Sequence, residues 1–196
     1  KYLFYKGKIY YRLSISDDPA IKNLEPNALE IAADSYLKLV EFENRLGTKR
    51  YTDDALLEIP YLAQSINARA YDKYEAKDFA GASADFIKTY ELKKNPALGA
   101  GARYDTTSYY YAGVMYNLAG DTTNALKIFT DVLNMGFDGY TYSATSAANG
   151  QPVGFLNKPE MDKQVGLGIV VDPVVSESFR PDIYKTMLSI YLGMND

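Results

Sequence analysis

The sequence contains no cysteine, no histidine and no tryptophan. Without cysteine there is no disulfide framework, no thiolate nucleophile and no Cys-ligated zinc or iron–sulfur centre. Without histidine the commonest general base and the commonest transition-metal ligand are missing, and a Ser-His triad is excluded. Catalysis would have to run on carboxylates, lysine, tyrosine or a bound hard cation. No apolar run approaches the ~20 residues that cross a bilayer; the longest candidate, residues 166–175, is interrupted by Asp172 and Pro173. No Lys/Arg-rich run is present, and a net charge of −4 with a pI near 5.0 argues against a nucleic-acid footprint.

What is present is a 196-residue chain, 47% hydrophobic and 23% charged, enough for one ordinary domain or a short repeat array with a sizeable core. Disorder is not the expectation for that balance. The excess is tyrosine, with 19 copies. The chain opens on Lys1-Tyr2-Leu3-Phe4, without an initiator Met and already reading as mid-helix, so a trimmed or mature fragment is expected. A cysteine-free chain fits either side of a bacterial inner membrane, and the periplasm or cell envelope is favoured over the cytoplasm.

Internal repeats are the next signal. Tyr109, Ala112, Gly113 and Tyr116 fall at i, i+3, i+4 and i+7, one face of a helix. Gly120 then ends that helix and Asp121 or Thr122 caps the next, in which Ala125, Phe129 and Val132 form a stripe before Gly136 stops it. Two antiparallel helices with small residues at their crossing make a helix hairpin.

Tyr109, Ala112, Gly113, Tyr116, Gly120, Asp121, Ala125 and Phe129 together resemble the tetratricopeptide consensus over one full repeat. A second copy resembles it through Ile66, Ala70, Asp78, Phe79, Ala82, Phe86 and Pro96, with Lys73 where an aromatic is usual and Tyr74 beside it. A third copy is split. Leu3, Gly7 and Tyr10 match a first helix and Ala32, Tyr36 and Leu39 a second, around an enlarged connection at Ser16-Asp17-Asp18-Pro19. Tyr184, Met187, Leu188, Tyr191, Asn195 and Asp196 match the first helix and turn of a fourth. The resemblance implies an all-α fold, an α-α superhelix of helix hairpins, with repeats near 1–45, 60–97 and 106–138 and a half repeat at 180–196.

Residues 139–178 stand apart as an insertion. Tyr140 to Thr145 alternates with β-rich residues, Asn149-Gly150 supplies a turn, and Pro152 to Leu156 is the returning strand, a small hairpin over 140–157. Lys158 to Val165 reads as a short helix and 166–178 as irregular. The block resembles a hairpin inserted between repeats in tetratricopeptide proteins of the Bacteroidetes.

The consensus tyrosines, alanines and glycines read as packing between repeats. The resemblance implies a concave groove lined by the other first-helix residues, here Tyr5, Lys8, Tyr11, Arg12, Asn67, Tyr71, Tyr74, Tyr110, Tyr111, Val114 and Asn117. Tyrosine offers rigid apolar area with a polar tip, and asparagine can hold an extended backbone. The alternative is that several of these tyrosines pack between repeats. The basic clamp some family members use for a terminal carboxylate is not evident.

Other phrases carry less. Residues 99–103 (Gly-Ala-Gly-Ala-Arg) follow a helix, lack a third Gly and lack Lys-Ser/Thr, so they do not form a phosphate loop. Asp17-Asp18 and Asp53-Asp54 read as helix caps rather than a cation site, with Thr52-Asp53-Asp54 opening a helix. Nothing singles out Glu41 or Glu43 as a catalytic pair. The expected function is therefore a non-enzymatic scaffold for a protein or peptide partner, with no catalytic, cofactor or metal residues, no nucleic acid and no membrane span. The alternative is a glycan- or lipoprotein-associated binding module of the bacterial cell envelope. Open repeat ends imply apolar surface around Met187, Ile190 and Tyr191, either exposed or covered by self-association or by residues of the insertion.

Overall fold

A computed structural model of the chain describes residues 1–94, 106–155 and 157–194. Pro96, residues 99–103, Leu156, Asn195 and Asp196 lie outside the described residues. The chain divides into two compact units, Lys1–Ile128 and Phe129–Asp196.

The first unit is helical. Helices α1 (Tyr2–Ser14) and α3 (Ala28–Leu46) pack together, joined through a single helical turn, α2 (Pro19–Lys22), that Asp18 caps by accepting the Ala20 N–H at 2.8 Å. Phe4, Gly7 and Tyr11 face α3 with a three-then-four spacing. The approach is close because position 7 has no side chain: a Cβ there would lie 2.7 Å from the Tyr36 ring. Helix α4 (Thr52–Glu75) pairs with α5 (Phe79–Lys93), and α5 with α6 (Thr106–Leu118). One core joins Phe4 and Tyr11 to Ala32, Tyr36 and Leu39 of α3, to Ile59, Leu62 and Ile66 of α4, and to Leu92 of α5.

Local chemistry sets the boundaries. Gly47 at φ +66° ends α3, and the Asp78 carboxylate caps α5 by accepting the Gly81 N–H at 2.9 Å. Gly120 at φ +81° follows α6, and Asp121 accepts the Asn124 N–H at 3.1 Å to start α7 (Thr122–Asn134). The turn read from Leu118 to Thr122 is therefore the turn found. Helix α4 opens where Thr52-Asp53-Asp54 reads as a helix start. It starts at Thr52 and runs through Pro60, which lies on the exposed side of the helix.

The second unit begins inside α7, whose end is Gly136 at φ +77°, as the sequence suggests. Strand β1 (Tyr142–Ser146) pairs antiparallel with β2 (Pro152–Phe155) across the Asn149-Gly150 turn, so the expected hairpin is present. Helix α8 (Lys158–Gly166) follows, capped by Asn157. The reading of 166–178 as irregular needs correction. Val170–Val175 forms a third strand, β3, giving the antiparallel order β2-β1-β3. Pro173 is tolerated because β3 is an edge strand, and Asp172 at φ +51° accompanies a register shift opposite Ser143 and Thr145. Ala144, Met161 and Val170 form the small core under this sheet.

The excursion closes on itself. The Ser178 hydroxyl and the Phe179 N–H donate to the Asp138 carbonyl at 2.7 and 2.8 Å, and the Thr141 N–H donates to Ser176 Oγ at 2.9 Å. Helix α9 (Arg180–Gly193) then buries Ile183 and Ile190 while Tyr184, Leu188 and Tyr191 stay half exposed. Ile190 is thus packed away and Met187 half-buried, while Tyr191 is exposed. No helix among the described residues is long and apolar enough to cross a membrane.

Candidate functional site

The residues expected to line a groove fall into groups by the contacts they make. The largest group spans the C-terminal half of α4 and the start of α6. Asn67 and Tyr71 sit four apart on α4, and Ser108 and Tyr111 lie on α6, where Ser108 Oγ donates to Asn67 Oδ1 at 3.5 Å. The Tyr71 ring stands edge-on to Phe86 of α5 at 5.3 Å between centroids and edge-on to Tyr111 at 6.3 Å. Phe86 also touches the Tyr111 ring at 5.6 Å, and Tyr110 leans on Tyr111 at 5.4 Å. Phe86 is fully buried whereas Tyr71 is 45% exposed, so the cluster is a ledge, seated in the core and open to solvent. Tyr74 is half exposed beside Phe79 at 6.2 Å.

The remaining positions lie elsewhere. Tyr5 is edge-on to Phe4 and to Tyr51, at 5.4 and 6.4 Å, at the N-terminal end of the unit, with Lys8 and Arg12 exposed on the same helix. Tyr11 is buried, 7% exposed, and belongs to the core. Its groove placement is corrected by the periodicity of α1, which puts it four residues after Gly7 on the face that meets α3. Val114 and Asn117 on α6 are half-buried.

Beside the ledge is an ion network that spacing did not foretell. Asp85 of α5, buried, accepts Arg69 Nε at 2.8 Å and Nη2 at 2.7 Å, and lies 2.9 Å from Lys73 Nζ. Arg69 also grips Glu30 of α3 with both terminal nitrogens. Burial alone would raise the Glu30 pKa, but the Arg69 hydrogen bond, a backbone hydrogen bond and the charges of Arg69 and Lys73 together hold the carboxyl below the usual range. Lys73 thus completes a balance of two cations against two carboxylates.

Glu43 was a second omission. Its buried carboxylate, on the last turns of α3, accepts the N–H groups of Tyr51 and Thr52, each at 2.9 Å, and the Thr52 hydroxyl at 2.8 Å. It caps α4 from another helix, in place of a side-chain cap at Tyr51. Burial would raise its pKa, yet those donors pull it below the ordinary value.

On the far side of α6 a shallow groove of about 290 Å³ is lined by Tyr90, Glu91, Lys94, Tyr109, Tyr116 and Lys127 among others. Tyr90 and Tyr109 stack there at 4.5 Å, with Lys94 4.9 Å from the Tyr90 ring. Among the described residues no three His, Cys, Asp or Glu side chains converge to hold a metal ion. Comparisons with family models, with curated proteins and with solved structures return no match. The tetratricopeptide likeness rests on the residue pattern alone.

Proposed function

We propose that this chain is a non-enzymatic binding scaffold of stacked tetratricopeptide-type helix hairpins, and that the Tyr71–Tyr110–Tyr111 ledge receives a protein or peptide partner. One observation carries this reading. Tyr71 is half exposed although its ring is braced against buried Phe86 and against Tyr111. A ring already ordered loses little freedom on binding, which is what makes rigid tyrosines strong contact residues. The Asn67 amide beside it offers polar contacts for a peptide backbone. The absence of histidine and cysteine supports a binding role over a catalytic one.

Affinity capture from the source organism identifies the partner, and binding is then measured with variants. Tyr71→Ala and Tyr110→Ala should each weaken binding by about 1–2 kcal/mol with the fold retained. Unfolding of both variants makes these rings core and rejects the ledge. Unchanged affinity places the partner elsewhere.

A second reading, a glycan-binding module of the bacterial envelope, has the α5–α7 groove behind it. Tyr109 and Tyr116 offer ring surface there, and Glu91, Lys94 and Lys127 offer hydrogen-bonding groups suited to hydroxyls. A glycan array read with wild type and Tyr109→Ala separates this from peptide binding.

A further inference from the structure

Helix α1 carries an apolar stripe on the side away from α3. At about 100° per residue, Tyr2, Tyr5 and Ile9 fall within a sector of about 60°, and they are 73%, 47% and 61% exposed. Lys6 borders this stripe on one flank, and Lys8 and Arg12 border it on the other. The first acid in the sequence is Asp17, so α1 is wholly cationic within a chain of net charge −4. Lys6 and Lys8 rest near aromatic rings, at 5.9 Å from Tyr2 and from Phe4, and no carboxylate pairs with Lys6, Lys8 or Arg12 among the described residues.

The first half of α4 presents the opposite. Leu57 and Tyr61, four apart, are 71% and 62% exposed. Asp53, Asp54 and Glu58 surround them, and no cation occurs between Thr52 and Ala68. Both stripes lie in the first unit.

We propose that this face joins two copies of the chain, the α1 stripe of one packing on the α4 stripe of the other. The occupant is chosen by complementarity. Tyr2, Tyr5 and Ile9 meet Leu57 and Tyr61, and Lys6, Lys8 and Arg12 meet Asp53, Asp54 and Glu58, as flanking charges select partners in helix pairs. A twofold pair makes both contacts twice. Tyr71 lies about 15 Å further along α4, at about 1.5 Å per residue, so the ledge stays open in the pair. This inference does not depend on the ledge having a partner.

Sedimentation velocity on the full chain, up to about 100 µM, is the test. Self-association is expected at low salt and weakens as salt is raised. The triple variant Lys6→Glu, Lys8→Glu, Arg12→Glu and the triple variant Asp53→Lys, Asp54→Lys, Glu58→Lys should each weaken it roughly a hundredfold, and an equimolar mixture of the two should associate again. Should the α4 triple variant not fold, Leu57→Ser with Tyr61→Ser replaces it and should give a monomer. Circular dichroism checks the fold throughout. A wild type that stays monomeric over the whole range, an association untouched by every variant, or a mixture that remains monomeric overturns the proposal. So does a monomer whose α1 face binds an acidic peptide instead.

Discussion

Removing the Glu43 carboxylate should cost far more than a surface substitution, because α4 has no other N-terminal cap. Its carboxylate receives three donors, the N–H groups of Tyr51 and Thr52 and the Thr52 hydroxyl, and Thr52 is fully buried. Glu43→Ala leaves those donors without an acceptor in a site that admits little water. Hydrogen bonds to a charged group contribute about 1.5–3 kcal/mol, and loss of a helix cap alone costs about 1–2. Since these overlap, we expect a loss of about 3 kcal/mol, read by urea unfolding at pH 7. Glu43→Gln keeps one acceptor oxygen but turns an amide N–H₂ toward the remaining donors, and should lose about 2 kcal/mol. The same group predicts a pH dependence. Its folded pKa is depressed, so the stabilisation is complete above the unfolded glutamate value of about 4.3 and is lost as pH falls through the lower folded value. Wild type should therefore lose stability below about pH 4.3, and Glu43→Gln should lose less over that interval. A Glu43→Ala cost under about 0.5 kcal/mol would mean the cap contributes nothing and would refute the reasoning.

Three further substitutions test the packing. The Tyr36 hydroxyl is buried without a hydrogen-bond partner among the described residues, and burial first, then the Glu58 carboxylate, pushes its pKa upward. Tyr36→Phe should thus be neutral or stabilising by up to about 1 kcal/mol; a clear loss in thermal denaturation would reveal a bond to that oxygen. Gly7→Ala should destabilise by about 1–2 kcal/mol despite alanine's better helix propensity, because its Cβ would meet the buried Tyr36 ring at 2.7 Å. A melting temperature above wild type would show that the α1–α3 crossing can open. Gly139→Ala faces both a positive φ of +72° and a Cβ 2.5 Å from Phe179, and should loosen the closure of the 138–179 excursion, seen as faster proteolysis within 140–178.

What the sequence revealed was local. Asp78, Gly120, Asp121 and Gly136 act on groups within a few residues of themselves, so residue type and spacing suffice to read them. Glu43 was unreadable because its partners lie eight and nine residues on, in another helix. Strand β3 was hidden because Asp172 and Pro173 read as breakers, and only its place at the sheet edge makes them tolerable. The site divides in the same way. Tyr11 shares one helical face with Phe4 and Gly7 and is buried there, whereas the contacts among Asn67, Tyr71, Ser108 and Tyr111 join α4 to α6 and are not set by spacing along either helix.

The ion network and the ledge are linked through two consecutive residues of α5. Asp85 holds Arg69 and Lys73 of α4, and Phe86 seats the ring of Tyr71, which lies between those two cations in sequence. Sliding α4 against α5 by one turn would break both contacts together, so the network fixes the register that keeps Tyr71 braced. Asp85→Asn should expose this link. It removes the negative charge facing two cations, and breaking such a pair in a fully buried site costs about 3–5 kcal/mol. The side chains of Arg69 and Lys73 are 23% and 29% exposed, so water relieves part of that, and about 2 kcal/mol is expected. Partner affinity should fall as well, although Asp85 is buried and cannot touch a ligand. Pairing Asp85→Leu with Arg69→Leu leaves Glu30 and Lys73 as the remaining charges, and should cost less than the two single changes summed, since the Asp85–Arg69 pair is removed as a unit. If Asp85→Asn lowers stability yet leaves partner affinity unchanged, the network holds the helices without positioning the ledge.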